Sequence, residues 1–510
     1  MPFLQIRFDD QKTFTVGLTQ WVKPLLPEQT PTTVEVYGAW TWNGTELEAS
    51  NDRYGICPLF YRVDAKSFSI ATSLVDLISI EPNLTTDESA MAVFIRLGWM
   101  LAEDTPFNEI RALPPAAKLR WTPEKFSLTS GFSVIKPVKI GRDDARSAYS
   151  KLFSLAVSRR LHAGRSTAVT LSGGRDSRHI LLEMCRQKIA PSVAITLRRY
   201  RPLETDDASI AKLLCKSLGI RHQIVNPVRS SAHNETRKNR ITHFCTDENH
   251  WQMELGDKIG ENGVEVSYDG LAGDVLSAGL FFTEERDRAF KQGRLADVAR
   301  SILSGWAPGD FTVQPLLPEP FCTNLTFDLA VKRLITELER HQNAANPLAS
   351  FVFWNRTRRG IGMGPLSIFS TLKCLHFPYL DFDVFDFLMS LPSELTADYQ
   401  FHDETIQLAF PEHAHIPYGS GQPQPAKIDA IQSIANMAAY CAAKNPARLT
   451  TLMHWASALV ARKPIGRIPR RRIHYLIQAE AELHLFRSTG DRKGDAPALS
   501  QPSPRSARVP

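Results

Sequence analysis

Cysteine is scarce and scattered in this 510-residue chain: there are seven, with no Cys-x-x-Cys pair and no metal-ligand spacing. An odd, dispersed count argues for reduced thiols rather than a disulfide framework. No apolar run approaches the roughly 18 residues that a membrane helix needs. The opening Met1-Pro-Phe-Leu-Gln-Ile-Arg-Phe-Asp-Asp10 lacks the basic-then-apolar layout of a secretory signal. A cytoplasmic location with no membrane partner is therefore expected. Charge of one sign is not in large excess either. The formal net charge is +6, and much of the surplus lies in Arg462-Lys463 and Arg467 to Arg472. With no nucleic-acid fold signature behind it, that cluster reads as a solvated helix end, and nucleic acid is not expected as a partner.

What the chain does have is an ordinary globular composition, 43% hydrophobic and 22% charged, over a length suited to two to four domains. Residues 1–138 are β-rich. Val34-Glu-Val-Tyr-Gly-Ala-Trp-Thr-Trp42 alternates and runs into Asn43-Gly44, a dipeptide favoured in tight hairpins. Further strands are expected at 60–63 and 68–71, and a helix at 88–101. Pro114-Pro115 excludes helix before another strand.

The pattern changes near residue 139. Tyr149, Leu152, Phe153, Ala156 and Val157 have the spacing of an amphipathic helix over 143–161. Strands at 167–171, 192–197, 220–225 and 264–268 then alternate with helices, the signature of a helix-covered parallel sheet and an α/β fold. Ligands of such sheets bind at the C-terminal ends of the strands. Beyond residue 280 the chain reads as helical, with apolar helices at 327–338 and 384–391. A disordered tail is expected over 481–510, rich in Ser, Pro, Gly and charge from Ser488 onward.

Two strand ends carry the chemistry. Thr167-Ala-Val-Thr-Leu171-Ser172-Gly173-Gly174-Arg175-Asp176-Ser177-Arg178 reads as a strand, a glycine turn and a helix start. Such a turn presents backbone N–H groups at the positive end of a helix. The glycines let the backbone close on a phosphate, Ser172 and Ser177 add hydroxyls, and Asp176 adds a carboxylate suited to Mg²⁺. A bare Ser-Gly-Gly fits a plain connecting turn equally well; the full Ser-Gly-Gly-x-Asp-Ser string is more specific. It is not a Walker A sequence, because the Gly-Lys-Ser/Thr ending is missing. The second strand end is Val264-Glu-Val-Ser-Tyr-Asp269-Gly270-Leu-Ala-Gly273-Asp274. Asp274 alone also fits a helix N-cap; paired with Asp176 it suits a shared Mg²⁺ on ATP phosphates. Arg175 and Arg178, flanking Asp176, can grip phosphate or a second carboxylate, or pair with Asp269 or Asp274.

The first string resembles the PP-loop of ATP pyrophosphatases, and the motifs together resemble the asparagine synthetase family over most of residues 35–415. Asp52-Arg-Tyr-Gly-Ile-Cys-Pro-Leu-Phe-Tyr61 is similar to that family's Asp-Arg-Phe-Gly-x-x-Pro-Leu-Tyr-Tyr. Leu113-Pro114-Pro115 is similar to its Leu-Pro-Pro-Gly, Gly270 to Asp274 to its Gly-x-Gly-x-Asp-Glu, and Pro378-Tyr379-Leu380-Asp381 to its Pro-Phe-Leu-Asp. The resemblance implies a degenerate nucleophile-hydrolase-like β sandwich over 1–138. It implies a parallel-sheet synthetase domain with a helical C-terminal part over 139–480. ATP and Mg²⁺ are implied as cofactors. By position, Leu171 and Ile195 would flank adenosine, approached by the Gly270 backbone. Ser172, Gly173, Gly174 and Ser177 would hold pyrophosphate, and Asp176 and Asp274 would bind the metal.

Departures from the family point to the kind of member. Pro2 stands where a glutaminase needs an N-terminal cysteine, and the glutamine-holding front section is largely absent, so glutamine hydrolysis is not expected. Cys57 reads as core packing. Val275 follows the turn acid where Glu is usual, Cys374 takes the slot of a family glutamate, and the loop after Phe410 lacks Arg-Pro-Lys, with Lys427 a weak substitute by spacing. The expectation is an ATP-dependent carboxylate–amine ligase working through an acyl-adenylate, resembling the β-lactam synthetases and lasso-peptide macrolactam cyclases. Its substrate would be a small molecule or peptide bearing a carboxylate and an amine, with a leader-peptide protease as a partner in the lasso case. Asparagine synthesis from free ammonia and a PP-loop protein acting on RNA stand as alternatives.

Overall fold

The alternating apolar residues of the first 130 positions build two antiparallel sheets in a computed structural model. It describes residues 2–9, 12–23, 36–81, 84–198, 206–306, 324–419 and 470–483. The strands are β1 (Phe3–Asp9), β2 (Lys12–Gly17), β3 (Gln20–Val22), β4 (Gly38–Trp42), β5 (Leu47–Asn51), β6 (Phe60–Asp64), β7 (Ser67–Ala71), β8 (Arg111–Ala112), β9 (Lys118–Trp121) and β10 (Phe126–Thr129). One sheet runs β2-β1-β7-β6-β8, the other β10-β9-β5-β4-β3. Alternate residues of both face inward, so Leu4, Ile6, Phe68 and Ile70 of one meet Trp40, Trp42, Leu47 and Trp121 of the other in a single apolar core. The Asn43 side chain organises the β4–β5 turn by accepting from the Thr45 and Glu46 N–H groups at 2.9 and 2.8 Å. The connection is four residues long, since Trp42 pairs with Leu47, rather than the two-residue turn that Asn-Gly suggests.

The second half is a parallel sheet, β13-β12-β11-β14-β15, built from β11 (Thr167–Thr170), β12 (Val193–Leu197), β13 (His222–Val225), β14 (Val266–Tyr268) and β15 (Cys374–His376). The chain lays β12 and β13 on one side of β11 and then returns to place β14 and β15 on the other. That reversal opens a crevice beyond the ends of β11 and β14.

The two halves are tied at their joint. Tyr54, from the Asp52-to-Tyr61 motif, packs 4.8 Å from the Phe385 ring and donates its hydroxyl to the Leu380 carbonyl at 2.8 Å. Asp52 holds that loop by accepting backbone N–H groups from Tyr54, Ile56 and Cys57. Cys57 is buried, and burial pushes its thiol up to about 12. The segment Phe353–Ile361 is a π-helix whose Arg358 and Arg359 reach into the N-terminal half.

The expected helix over 88–101 stops at Leu97. Gly98 takes a φ of 87°, and the space a side chain would need is filled by Arg472 and Asp247. Arg472 belongs to the helix Arg470–Leu483, which enters the stretch expected as tail; residues 488–510, Arg462, Lys463, Arg467 and Lys427 lie outside the described residues. In the same helix, burial pushes the His474 imidazole down to about 4. The unfolded chain, near 6.5, therefore takes up a proton before the folded one does. Stability conferred by the neutral imidazole is complete above pH 6.5 and is lost between 6.5 and 4, by about 1.4 kcal/mol per pH unit. Urea melts at pH 7 and pH 5 are expected to show a shallower pH dependence for His474→Gln than for the wild type.

Candidate active site

The β11 strand ends in an apolar, β-branched run, and the chain turns at Ser172-Gly-Gly into the helix Asp176–Arg186. The turn gathers oxygens onto its backbone donors. Ser172 N–H donates to Ser177 Oγ at 3.0 Å, Gly174 N–H to Ser172 Oγ at 3.1 Å, and Gly173 N–H to Asp207 Oδ1 at 3.0 Å. These N–H groups are thus not left open as the sequence suggests. The Gly173 N–H is taken by a carboxylate oxygen, the kind of acceptor such a turn suits.

The second turn folds over the first. An added Cβ on Gly270 would lie 2.7 Å from the Asp176 Cβ, and one on Gly273 would strike the Asp176 carboxyl group. Only glycine permits this approach. Ala272 between them adopts a φ of 75°, a left-handed conformation uncommon outside glycine and met at functional sites. Asp274 N–H then donates to Asp176 Oδ2 at 3.1 Å, and the Asp274 side chain is exposed to the cleft. Burial raises the Asp176 pKa well above the usual carboxylate range, and the Asp274 charge beside it adds to the effect. Two carboxylates that repel each other beside a turn accepting anionic oxygens fit a divalent cation shared with phosphates. Among the described residues, no group of three His, Cys, Asp or Glu side chains is placed to hold a metal ion by itself.

Behind Asp176 lies a buried polar layer that sequence reasoning missed. His402 Nδ1 meets Ser277 Oγ at 2.9 Å and Asp176 Oδ1 at 3.4 Å, while its Nε2 meets His179 Nδ1 at 3.2 Å. Burial pushes the His402 imidazole down to about 3, with Arg175 adding to the effect, so it is neutral and stands beside the Asp176 carboxylate as part of a polar network with Ser277 and His179. Tyr379, from the Pro-Tyr-Leu-Asp motif, donates to the Asp176 carbonyl at 3.1 Å. The Asp381 side chain of the same motif caps the helix Phe382–Ser390 and receives Arg160 at 2.8 Å. These motif residues support the site from behind.

The arginines do something other than grip a ligand. Arg175 forms a two-pronged ion pair with Asp403, not with Asp269 or Asp274. Arg178 is buried and donates to the Ile416 and Pro417 carbonyls, with its guanidinium 4.1 Å from the Tyr418 ring. Gly419 N–H closes this loop onto the Gly173 carbonyl at 2.8 Å. Arg178 therefore fastens the 416–419 loop beside the glycine turn, while Arg175 ties the turn to the helix Phe401–Ala409 and stands 5.3 Å from the Tyr418 ring.

A cleft of about 500 Å³ runs from the two turns; Leu171, Ser172, Asp176, Ser177, Gly270 and Asp274 line one side of it. Ile195 does not line the cleft. Its side chain is buried in the apolar cluster beneath the sheet and only its carbonyl serves the turn, accepting Leu171 N–H at 2.9 Å. Thr196 and Leu197, which follow it, line the cleft instead. Val275 is buried in the core, and Cys374 begins β15 away from the cleft-lining residues. The opposite wall, which includes Glu248, Asn249, Trp251, Gln252, Arg356 and Thr357, was not signalled by any motif.

Among the described residues, no helix is long and apolar enough to cross a membrane. Comparison with curated proteins finds no match. Residues 148–353, which contain β11 to β14 and both chemistry-bearing turns, match the family model described as asparagine synthase, which supports an ATP-dependent amide-forming ligase in general. This domain, residues 148–353, is what the chain shares with the asparagine synthase family.

Proposed function

We propose that the protein is an ATP-dependent carboxylate–amine ligase that releases AMP and pyrophosphate and forms its amide within a larger substrate, most like a lasso-peptide or β-lactam cyclase. The observation that carries this reading is the closure of the Gly270–Asp274 turn onto Asp176 at the mouth of the crevice between β11 and β14. The N-terminal half, two antiparallel sheets closed on one apolar core, is read as a degenerate nucleophile-hydrolase-like domain. A small molecule or peptide bearing a carboxylate and an amine is the proposed substrate.

A carboxylate is a poor electrophile until it gains a leaving group. Its oxygen attacks the α-phosphorus of ATP, the α–β bridging P–O bond breaks, and pyrophosphate departs with the electron pair. The amine then attacks the acyl carbon, the acyl–oxygen bond breaks, AMP departs, and the amine gives up a proton. The glycine turn would hold pyrophosphate through Gly173 N–H once Asp207 yields it, with the Ser172 and Ser177 hydroxyls beside it. Asp176 and Asp274 would hold Mg²⁺, which when bound neutralises phosphate charge. The His402 ring stands beside the Asp176 carboxylate, and the loop pinned by Arg178 covers the turn.

The test is turnover of ATP with a panel of peptide and small-molecule candidates. AMP and pyrophosphate are expected in step with amide formation, together with exchange of labelled pyrophosphate into ATP. Products limited to ADP and phosphate, or no nucleotide turnover with any candidate, would overturn the reading. Aspartate, ATP and ammonia together are expected to yield no asparagine.

A further inference from the structure

The wall of the cleft facing the two turns carries polar groups that the rest of the fold leaves unpaired. Arg356 Nε and Nη1, Thr357 Oγ1 and Gln252 Oε1 are all buried and have no hydrogen-bond partner among the described residues. All three side chains line the cleft. The Arg356 guanidinium has one ion-pair partner, Glu248, at 3.3 Å through Nη2, and it stands 5.7 Å from the Phe281 ring centroid. Native folds leave few buried polar atoms unsatisfied, and several on one wall of one cleft call for a ligand.

The backbone explains how they come to one place. Phe353–Ile361 is wound as a π-helix, with an extra residue in each turn. Arg356 and Thr357 reach the cleft, while Arg358 and Arg359 on the same element enter the N-terminal half. Such windings concentrate at functional sites. The free groups are chiefly donors, on a guanidinium and a hydroxyl, and the chemistry that satisfies them is a carboxylate. They lie just inside the wall, so Arg356 must turn on its flexible stem away from Glu248 to meet one.

The geometry points to a second anion site in the cleft, in which Arg356 and Thr357 hold a carboxylate of the substrate other than the one that is activated. The substrate is thus a compound or peptide with at least two carboxylates. This rests on the adenylating reading of the facing turns. Glu248 competes for Arg356 and thereby sets how tightly the second carboxylate is held.

The experiment is calorimetric titration of the full-length protein with succinate and glutarate and with the half methyl ester of each, without nucleotide. Mg-ATP is titrated separately. The wild type is expected to bind a diacid at least about tenfold more tightly than its half ester, since a site built to pair a polar group rejects an analogue lacking it. Arg356→Met should abolish that preference, Thr357→Val should weaken it, and Glu248→Gln should tighten diacid binding by releasing Arg356. Mg-ATP binding should be unchanged in all three variants. Equal binding of diacid and half ester by the wild type, or a preference that survives Arg356→Met, overturns the proposal. A Glu248→Gln variant no tighter than the wild type shows Arg356 to be only a structural ion-pair partner and overturns it too. Failure of the wild type to bind Mg-ATP would instead strike the adenylating reading and leave the second anion site standing.

Discussion

Asp176→Asn is expected to lower AMP and pyrophosphate formation by at least about a thousandfold, roughly 4 kcal/mol of transition-state stabilisation, while making the metal-free protein more stable. Both effects come from the same carboxylate. Asp176 is held by burial and by the neighbouring Asp274 charge in a setting that disfavours ionisation. Its folded pKa lies above the unfolded value, so the folded state binds the proton more tightly and ionisation costs stability as pH rises. An asparagine of the same shape still accepts Asp274 N–H, now at 3.1 Å from Asp176 Oδ2, but carries no charge for a cation. Thermal melts without added metal should therefore place the variant above the wild type at pH 8. The gap should narrow as pH falls toward the ordinary carboxylate range, where the wild-type side chain is protonated as well. Unchanged turnover would remove Asp176 from the metal site. A variant less stable than the wild type at pH 8 would mean that the carboxylate serves the fold rather than straining it.

The turns around Asp176 and Asp274 were legible because their chemistry is contiguous: a β-branched strand, small residues where backbones must touch, and an acid within a few positions. The parallel sheet and the β-rich N-terminal half were legible from periodicity. What escaped has a common cause, namely dependence on partners distant in the chain. Ile195 and Thr196 differ by one position, yet one side chain is sunk beneath the sheet and the other lines the cleft. Alternation shows that neighbours face opposite ways, not which face meets the ligand. Arg175 and Arg178 announce charge beside the glycine turn, but their partners Asp403 and Ile416 come from the far side of the synthetase half. The Arg356 wall is the furthest from view. A π-helix breaks the 3.6-residue spacing by which a helical face is recognised, so three arginines in one short run look like a solvated surface and prove to be half-buried or buried.

Arg358 shows how the N-terminal half bears on the cleft. Its guanidinium is almost wholly buried and donates to the Leu113 carbonyl at 2.9 Å, the Ala102 carbonyl at 3.2 Å and the Gly55 carbonyl at 3.3 Å. Gly55 belongs to the Asp52-to-Tyr61 motif and Leu113 to Leu-Pro-Pro, so both motifs serve as acceptors for the π-helix that bears Arg356. Burial pulls the Arg358 pKa down to about 10, which still leaves it charged at neutral pH. Arg358→Met would fill much of the same volume but take a charged donor from three buried carbonyls, leaving Asn51 on the Leu113 oxygen and Arg359 on the Ala102 oxygen. Breaking a buried charged network in this way costs about 3–5 kcal/mol, and a fall in melting temperature on the order of 10 °C is expected. The functional effect should be selective. The π-helix would lose its anchor while the turns on β11 and β14, which it does not form, keep theirs. At temperatures where Arg358→Met is folded, Mg-ATP should bind as in the wild type and the preference for diacids over half esters should be lost. Parallel loss of both would make the N-terminal half a general stabiliser, whereas retention of both would leave the conserved volume of methionine as all that the position requires.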